Sequence, residues 1–340
     1  MVTAVVPWEG SIREPGGRDW QRVGAPVCTR IFWSDNGVAK VASRTMDWLV
    51  SDEPRLWSLP AGLRRSGGAP GAIEWESKFA SVCLSMFDSG TVDGMNDQGL
   101  GVHLLYLESA DFGAPGDGPV IGNTHWGQWV LDRFATVSEA VDAMEGMRVE
   151  SVPIRGQNLH CHMSLEDAHG DSAIVEPIAG KLVVHHGPEY AVMANDPTFD
   201  EQLANLRRYL PYGGDLPLPG DILSTDRFVR ATYFLEHLPP PRDVEEAVAG
   251  VIHIASNVAC PPGAPYNDFS VYPTWWTSAV DLTNLTYYFW SRLSPGLIWV
   301  SLADLARPAG SPVLVLDPEA PGLTGDISDR FLPLEGALPY

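Results

Sequence analysis

The sequence contains no run of about 18 consecutive apolar residues, the length that a helix needs to cross a lipid bilayer. Basic residues are also scarce, because 22 Lys and Arg stand against 43 Asp and Glu and give a formal net charge of −21. Proteins that bind nucleic acid or an anionic membrane surface do so through basic patches. The composition therefore predicts neither a nucleic-acid partner nor insertion into a membrane.

Cysteine is rare, and its spacing argues against two kinds of site. The four cysteines are Cys28, Cys83, Cys161 and Cys260. Because no two of them form a C-x-x-C pair, the sequence indicates neither a disulfide framework nor a zinc centre. Alternation along a strand would place His160 and His162 on one face, but no third ligand accompanies them. We therefore expect no bound metal.

The first 27 residues lack the features of an ordinary targeting segment. They have no basic start, and Pro7 and Glu9 interrupt their apolar run. They are rich in Gly, Pro and charged residues and show no hydrophobic periodicity, which is typical of a leader or tail. The poor signal peptide favours a cytoplasmic location, and a periplasmic or secreted protein is the alternative.

The rest of the chain mixes strand and helix signals in the manner of an α+β protein. Residues 31–42 predict a β-hairpin, because two apolar runs flank the turn sequence Ser-Asp-Asn-Gly. Residues 171–186 predict a second hairpin, which turns at Ala179-Gly180. Two further strands are predicted at residues 285–291 and 296–302.

One helix is clearly marked, and two long loops are expected. Thr136 and Glu139 predict a capping box at the start of a helix over residues 136–147, where an apolar stripe follows. Residues 59–72 and 111–122 are rich in Gly and Pro and predict loops.

Cys28 stands at the start of the first predicted strand, one hairpin away from Arg44 and Asp47. A cysteine attacks as thiolate, and since a free thiol has a pKa of about 8.5 it needs a neighbouring base or cation. The sequence has no G-x-S-x-G elbow and no papain-type motif around this residue. One solution is that the residue's own amino group, with a pKa near 8, acts as the base. A purely structural cysteine is the alternative that these residues leave open.

An amino-group base requires that the peptide bond before Cys28 be cut. We therefore expect residues 1–27 to be a leader that is removed before Cys28. Residues 28–340 are expected to form a single domain, because no Pro- or Ser-rich linker divides them. The sulfur of Cys28 could cut the bond itself, and a peptidase acting during export is the competing route. The poor signal peptide favours self-cleavage.

Several segments together resemble one known family. They are C-T-R and R-T-M-D-W within residues 28–48, V-D-G-M-N-D-Q-G-L within 92–107, G-D-S-A within 170–186, N-D-P-T-F within 192–206, L-P-G and R-F-V-R within 218–231, and residues 289–302. In this order they resemble the choloylglycine hydrolases and penicillin V acylases, which are cysteine N-terminal-nucleophile (Ntn) hydrolases. The residues of these motifs are most similar to those of the penicillin V acylase branch that also accepts acyl-homoserine lactones. The resemblance implies a four-layer αββα sandwich, with two antiparallel sheets between helices.

The resemblance also implies roles for residues near the new amino terminus. Cys28 would be the nucleophile through its sulfur and the base through its amine. Asp47 would hold and orient that amine, because a carboxylate accepts strongly from it. Arg44 would place a permanent positive charge near the sulfur and favour the thiolate.

Three further residues would complete the implied catalytic set. The side-chain amide of Asn195 and the backbone N–H of Tyr106 would form the oxyanion hole. Arg227 would support the charge balance of the site, and a salt bridge that holds strands together is the alternative role for it. For Arg230, three residues on, a structural role is preferred.

The substrate side is expected to be apolar. Met46, Trp48, Met86 and Tyr106 predict an aromatic-lined pocket for the acyl group of a small acyl-amide substrate. Penicillin V or an N-acyl-homoserine lactone would fit such a pocket. No cofactor is needed for the chemistry.

Several alternatives remain beside this hydrolase. A bile-salt (choloylglycine) hydrolase or an acyltransferase could use the same fold, and a non-catalytic binding protein is the least favoured. The family resemblance further suggests a homo-oligomer, a dimer or tetramer. The segment between Arg208 and Arg227 is short, however, and lacks the long tetramer-forming loop of the bile-salt branch.

Overall fold

The computed structural model describes residues 28–114, 116–263, 265–266, 270–305 and 308–340. The expected leader, residues 1–27, lies outside the described residues. Of the helices within the described ranges, none is long and apolar enough to cross a membrane.

The described residues form strands and helices in the following order. The strands are β1 Thr29–Trp33, β2 Val41–Asp47, β3 Arg55–Leu59, β4 Arg64–Ser66, β5 Glu74–Glu76, β6 Ser81–Ser85, β7 Thr91–Asn96, β8 Leu100–Tyr106, β9 Val120–Gly122, β10 Arg148–Glu150, β11 Cys161–Asp167, β12 Ser172–Ile178, β13 Lys181–His186, β14 Val192–Ala194, β15 Pro265–Tyr266, β16 Ser270–Val271, β17 Thr274–Asp281, β18 Thr286–Ser291, β19 Ile298–Ser301, β20 Leu314–Leu316, β21 Gly325–Asp326 and β22 Leu332–Pro333. The α-helices are α1 Asn123–Arg133, α2 Val137–Ala143, α3 Phe199–Leu206, α4 Ser224–Glu236, α5 Val244–Val258 and α6 Leu302–Leu305.

Two large sheets dominate the architecture. The first has the strand order β14-β1-β2-β17-β18-β19-β21, and the second has the order β13-β12-β11-β8-β7-β6-β3-β20-β22. Neighbouring strands in both sheets run antiparallel, except for the parallel pair β19 and β21. The α+β class that the sequence predicts is confirmed.

Helices cover the outer face of each sheet, which gives the expected four layers, αββα. Helices α4 and α5 lie on the first sheet, where Val251 of α5 and Val41 of β2 belong to one buried cluster. Helices α1 and α2 lie on the second sheet, where Val130 of α1 and Val102 of β8 share another cluster. A third buried cluster contains residues from the facing sides of the two sheets.

Strands β1 and β2 are covered on both faces, so every one of their residues is buried. Side chains alternate between the faces of a strand. Arg44 and Met46 therefore point between the sheets, whereas Thr45 and Asp47 point toward α4. Charged side chains are rarely buried without partners. We therefore expect buried Arg44 and Asp47 to have specific partners, unlike the apolar residues of an ordinary core strand.

The hairpins and C-terminal strands predicted from the sequence are confirmed. Strands β12 and β13 pair as expected, and the two turn residues, Ala179 with φ of 50° and Gly180 with φ of 74°, are both in the left-handed region. That conformation is typical of the tight turns that join paired strands. Strands β18 and β19 lie where the C-terminal pattern places them.

The first hairpin differs from the prediction in where its second strand begins. The strand was expected from residue 38, but β2 begins at Val41. The side-chain oxygen of Asn36 accepts hydrogen bonds from the backbone of Val38 (2.9 Å) and Ala39 (3.0 Å), which keeps those residues in the turn. Such a local side-chain bond competes with strand pairing.

The predicted helix is confirmed, but it is shorter than expected and its cap differs in one bond. Helix α2 ends at Ala143, and the hydroxyl of Thr136 accepts from the backbone N–H of Glu139 (3.2 Å) as a capping box requires. The carboxylate of Glu139, however, accepts from the backbone of Ala135 (2.9 Å). The predicted loops also contain short strands, because β4 lies within residues 59–72 and β9 lies at the end of residues 111–122.

Candidate active site

The candidate site lies where three strands of the first sheet meet. Cys28 directly precedes β1, whose first residue, Thr29, pairs with Ala194 of β14 on one side and with Thr45 of β2 on the other. Asn195 follows β14 at once. The register therefore brings residues that are up to 167 positions apart in sequence into contact.

Every polar atom of Cys28 has a partner, but the partner of its nitrogen is Asn195 and not the Asp47 carboxylate that was expected to hold it. Its backbone nitrogen donates to the side-chain oxygen of Asn195, and its carbonyl accepts from Arg227 Nη1 at 2.7 Å. Its sulfur lies 3.8 Å from Arg44 Nη2 and 3.8 Å from the carbonyl oxygen of Asp47. Burial raises the pKa of the Cys28 thiol, and the positive charge of Arg44 opposes that rise.

Arg44 is held firmly beside the sulfur. Its guanidinium donates to the carbonyls of Leu104 (3.1 Å) and Val92 (3.3 Å) and lies 3.5 Å from the carboxylate of Asp93. It also stacks over the ring of Trp276, with 4.7 Å between the guanidinium carbon and the ring centre. The cation is therefore fixed by strands of both sheets and has little freedom to leave the thiol.

Asp47 lies on the other face of β2, toward α4. Its carboxylate accepts from the hydroxyls of Thr45 (3.3 Å) and Thr274 and lies 4.0 Å from Arg227 Nη1. The thiol of Cys260 is 4.0 Å from the same carboxylate. Burial raises the pKa of Asp47 to about 7, although Arg227 and the hydroxyl donors oppose the rise.

Asn195 and Tyr106 face each other across the gap between the two sheets. The amide nitrogen Nδ2 of Asn195 donates to the carbonyl of Tyr106 at 2.5 Å. An amide carries two N–H donors, and this contact uses one of them. The oxygen of the same amide accepts from Arg227 Nη2 at 3.3 Å, which fixes the orientation of the group.

The backbone N–H of Tyr106 lies on the same side of β8 as its carbonyl. Tyr106 stands opposite Cys161 on β11, and the next residue, Leu107, donates to the carbonyl of His160 at 3.3 Å. In an antiparallel ladder this pattern makes Tyr106 and Cys161 a non-hydrogen-bonded pair. The N–H and carbonyl of Tyr106 therefore both point away from β11, to the side where Asn195 lies.

Arg227 and Arg230 lie on the same helix, α4, but they donate hydrogen bonds to different parts of the protein. Arg227 is fully buried and donates to the carbonyl of Cys28 and the hydroxyl of Thr29. It thus ties α4 to the start of β1, rather than bridging two strands by a salt bridge alone. Arg230 donates to the carbonyl of Asp221 (2.5 Å) and the side chain of Asn257 (3.2 Å), away from this cluster.

A narrow apolar pocket opens at the sulfur. Its volume is about 60 Å³, and all four residues predicted to bind substrate, Met46, Trp48, Met86 and Tyr106, line it together with Cys28. A larger outer pocket of about 300 Å³ shares part of its wall. The shared wall residues are Trp48, Tyr106, Ile154 and Leu159.

The two histidines considered as metal ligands have other contacts. His162 is buried, with Nδ1 3.3 Å from the carboxylate of Glu176, and His160 lies 3.2 Å from the carbonyl of Glu108. In the described ranges, no three His, Cys, Asp or Glu side chains are grouped as a metal ion would require.

Sequence reasoning missed several residues that hold the catalytic candidates in place. Thr274 and Cys260 lie against Asp47 although they are more than 200 residues away along the chain, so no local pattern could reveal them. Asp93, which lies against Arg44, stands in the D-G-M-N segment that carries the family resemblance. Its position in that segment was the one available signal.

The chain is similar to several known proteins. Residues 28–307 match the family described as linear amide C–N hydrolases, choloylglycine hydrolase family. The chain is similar to penicillin V acylase of Pectobacterium atrosepticum, with 35% identity covering 91% of each protein. It is also similar to bile salt hydrolase/transferase of Bifidobacterium longum subsp. longum, with 26% identity covering 82% of this chain and 96% of that protein.

A solved structure matches the fold over almost its whole length. The structure of penicillin V acylase from Agrobacterium tumefaciens has a TM-score of 0.81 with this chain and 36% sequence identity. The match covers 91% of this chain and 98% of that one.

Replacement of Asp47 should change how stability depends on pH. The pKa of Asp47 is about 7 in the folded protein and about 3.9 in an unfolded chain, so between these values the folded state keeps a proton that the unfolded state has lost. The stability contributed by this group is therefore present below the lower pKa and lost as the pH rises through about 7. The Asp47→Asn variant carries an amide, which does not titrate, so its stability lacks this dependence on pH.

We expect the free energy of unfolding of Asp47→Asn, relative to the parent, to increase between pH 5 and pH 8 when both proteins also carry Cys28→Ala, which keeps residue 28 as an amide so that no α-ammonium group lowers the pKa of Asp47. The increase should be on the order of 1–3 kcal/mol, since one pKa unit corresponds to about 1.4 kcal/mol. Urea unfolding of both proteins at several pH values measures it, and a difference that does not vary with pH would contradict the expectation.

Proposed function

Because the chain belongs to the choloylglycine hydrolase family of linear amide C–N hydrolases, we propose that it uses Cys28 to release an apolar acyl group from the nitrogen of a small amide. The protein is a hydrolase of carbon–nitrogen bonds, other than peptide bonds, in linear amides. The observation that carries the proposal is the position of the Cys28 sulfur, which lies at an apolar pocket and 3.8 Å from the guanidinium of Arg44.

In the first half-reaction the thiolate of Cys28 attacks the amide carbonyl carbon and a C–S bond forms. The second N–H of the Asn195 amide and the backbone N–H of Tyr106 stabilise the oxyanion. The α-ammonium group then gives a proton to the leaving nitrogen, the C–N bond breaks and a thioester remains. Asp47 orients the α-ammonium group, and Arg227 supports it by holding the carbonyl of Cys28.

In the second half-reaction the α-amine takes a proton from water, and the resulting hydroxide attacks the thioester carbonyl. The C–S bond breaks and the thiolate is restored, the carboxylic acid leaves and gives its proton to solvent, and the proton taken from water remains on the amine for the next cycle. This sequence needs no cofactor, because one residue supplies both nucleophile and base.

The mechanism requires that the chain begin at Cys28, so we also propose that residues 1–27 are a leader removed there and that residues 28–340 are one domain. The sulfur of Cys28 attacks the carbonyl of Val27, the Val27–Cys28 C–N bond breaks, and a thioester forms as the amine gains its proton. Water then hydrolyses the thioester. The same Arg44 and Asn195 that serve turnover would assist this step.

The acyl group that fits best is apolar and aromatic or aliphatic. Met46 and Met86 line the inner pocket, and unbranched methionine side chains adapt to different shapes. Two relatives bear the name penicillin V acylase, which supports penicillin V as the substrate proposed for this chain. N-acyl-homoserine lactones, which also carry an apolar acyl chain on an amide nitrogen, are the second choice within this proposal.

A bile-salt hydrolase or an acyltransferase is the second candidate. One relative is named bile salt hydrolase/transferase, and a thioester can be opened by an amine instead of water. Release of product into an added amine acceptor would identify a transferase.

The chain is also proposed to form a dimer or tetramer. Three leucines of the segment 210–223 are exposed, Leu210 at 61%, Leu218 at 37% and Leu223 at 36%. Burial of such exposed apolar side chains between subunits would stabilise an assembly. Sedimentation velocity would measure the assembly.

The substrate proposal predicts a clear order of activity. With penicillin V, an N-acyl-homoserine lactone and a conjugated bile salt offered at equal concentration, kcat/KM should be highest for penicillin V. The acidic composition gives no attraction to anionic bile conjugates, so these should be poorest. Amine release measured for each substrate provides the test, and a preference for the bile salt would contradict the proposal.

The processing proposal predicts a defined amino terminus. N-terminal sequencing of active protein should read Cys-Thr-Arg-Ile. The Cys28→Ala variant should keep its leader and hydrolyse no substrate, because it lacks both the attacking sulfur and the means of self-cleavage. Fully active enzyme that still begins at Met1 would show that the α-amine is not the base.

Removal of the proposed oxyanion donor should affect catalysis more than binding. Asn195→Ala should lower kcat by about 10²–10³ with a smaller change in KM, because the oxyanion forms only along the reaction path. Asn36→Ala removes another amide, at the far turn of the β1–β2 hairpin, and should leave kcat near that of the parent. An unchanged kcat with a raised KM would make Asn195 a ground-state binding residue.

A further inference from the structure

Five charged side chains form a continuous buried row that begins and ends on the first sheet. They are Arg30 of β1, Glu166 of β11, His103 of β8, Asp93 of β7 and Arg44 of β2, and each residue is at most 1% exposed. We call these five residues the buried charge row. Cations and anions alternate along it, and its last member is the arginine beside the Cys28 sulfur.

The contacts along the row are direct. Arg30 Nε donates to Glu166 Oε2 at 3.0 Å, and the other oxygen of Glu166 contacts His103 Nε2. His103 Nδ1 lies 2.5 Å from Asp93 Oδ2. The same oxygen of Asp93 lies 3.5 Å from Arg44 Nη1. Asp93 is thus shared between His103 and Arg44.

The position of His103 between two carboxylates determines its charge. Each ring nitrogen faces a carboxylate oxygen. Burial raises the pKa of Asp93 and of Glu166, but the neighbouring cations outweigh it and lower both, so both groups are ionised and can only accept. Both nitrogens must therefore carry hydrogen, so the ring is an imidazolium cation. Burial lowers the pKa of His103, but Glu166 and Asp93 outweigh it and raise the pKa to about 9.

The row has three cations and only two anions. Other charged groups nearby are already engaged: Asp47 lies on the far face of β2 beside Arg227, and Asp52 accepts from Trp276 Nε1 at 3.0 Å with both oxygens. Burial raises the pKa of Asp52 to about 7, so near neutrality it offers only part of a negative charge. A Cys28 thiolate would supply the anion that the row lacks.

We propose that His103 is a positioning residue that, by neutralising Asp93 within the buried charge row, leaves the charge of Arg44 available to the Cys28 thiolate. The inference rests on the proposed function insofar as it assigns the thiolate to Cys28. Without a cation at position 103, the charge of Asp93 would be neutralised by Arg44 alone. The anion of Asp93 would then oppose a second anion at the sulfur.

Tyr287 of β18 completes the surroundings of Asp93. Its hydroxyl donates to Asp93 Oδ1 at 2.5 Å, while His103 holds Oδ2. The carboxylate is therefore fixed on both oxygens. Loss of this hydroxyl would leave more of the Asp93 charge to act on Arg44, in the same direction as loss of His103 but more weakly.

The test measures the ionisation of Cys28 directly. In mature protein, the rate of alkylation by iodoacetamide is followed from pH 5 to pH 10 and assigned to the Cys28 peptide by mass spectrometry. The His103→Gln variant should shift the midpoint upward by about one pH unit or more, so alkylation below the midpoint slows about tenfold. Tyr287→Phe should shift it upward by a smaller amount.

A matched control is present in the same sheet. His162 is also buried and faces a carboxylate, that of Glu176, but it lies outside the row. His162→Gln should therefore leave the alkylation midpoint at the parent value, although it removes a comparable buried contact. Equal midpoints in His103→Gln and the parent, or an equal shift in His162→Gln, would overturn the proposal.

A measurement on the unaltered protein covers the case in which His103→Gln does not fold. Nitrogen-15 NMR of histidine-labelled protein at pH 7.5 should show both ring nitrogens of His103 protonated, and a neutral ring would overturn the proposal. Neither alkylation nor NMR requires turnover, so both measurements are independent of the substrate.

The proposed function fails by a different result, which is full activity in Cys28→Ala. That result would not alter the alkylation midpoints by which the role of His103 is judged.

Discussion

The burial of a guanidinium beside a thiol, 3.8 Å apart, is the contact around which the site is organised. A buried cation is costly unless hydrogen bonds and opposite charge surround it. The carbonyls of Val92 and Leu104 and the carboxylate of Asp93 provide that environment for Arg44. Because these groups come from the second sheet, the spacing of the two sheets sets the position of the cation at the sulfur.

The same constraint explains why the site occupies both faces of the first sheet. The alternation of β2 sends Arg44 between the sheets, where it lies beside the Cys28 sulfur, and sends Asp47 toward α4, where it lies near Arg227. Arg227 ties the two faces together, since it contacts the carbonyl of Cys28 and approaches Asp47. In the proposed mechanism, the nucleophilic sulfur and the α-amine base of Cys28 would therefore be adjusted by separate groups.

The sequence predicts the local elements and the motif residues, but not the long-range contacts that adjust them. The hairpin at Ala179 and Gly180 and the cap at Thr136 follow from turn and capping chemistry within a few positions. The grouping of Cys28 with Asn195 follows from the family resemblance. The bond from Thr274 to Asp47 spans 227 positions, and that from His103 to Glu166 spans 63. No periodicity encodes such contacts, because they depend on strand register across the sheets.

Strands β1 and β2 are buried along their whole length and paired on both sides, which has a consequence for how the protein loses activity. Segments of this kind open only when most of a domain opens, and their amide hydrogens exchange last. Sites built on surface loops can be disordered while the domain remains folded. Here inactivation and global unfolding should follow the same curve on heating, so that residual activity reports the folded fraction.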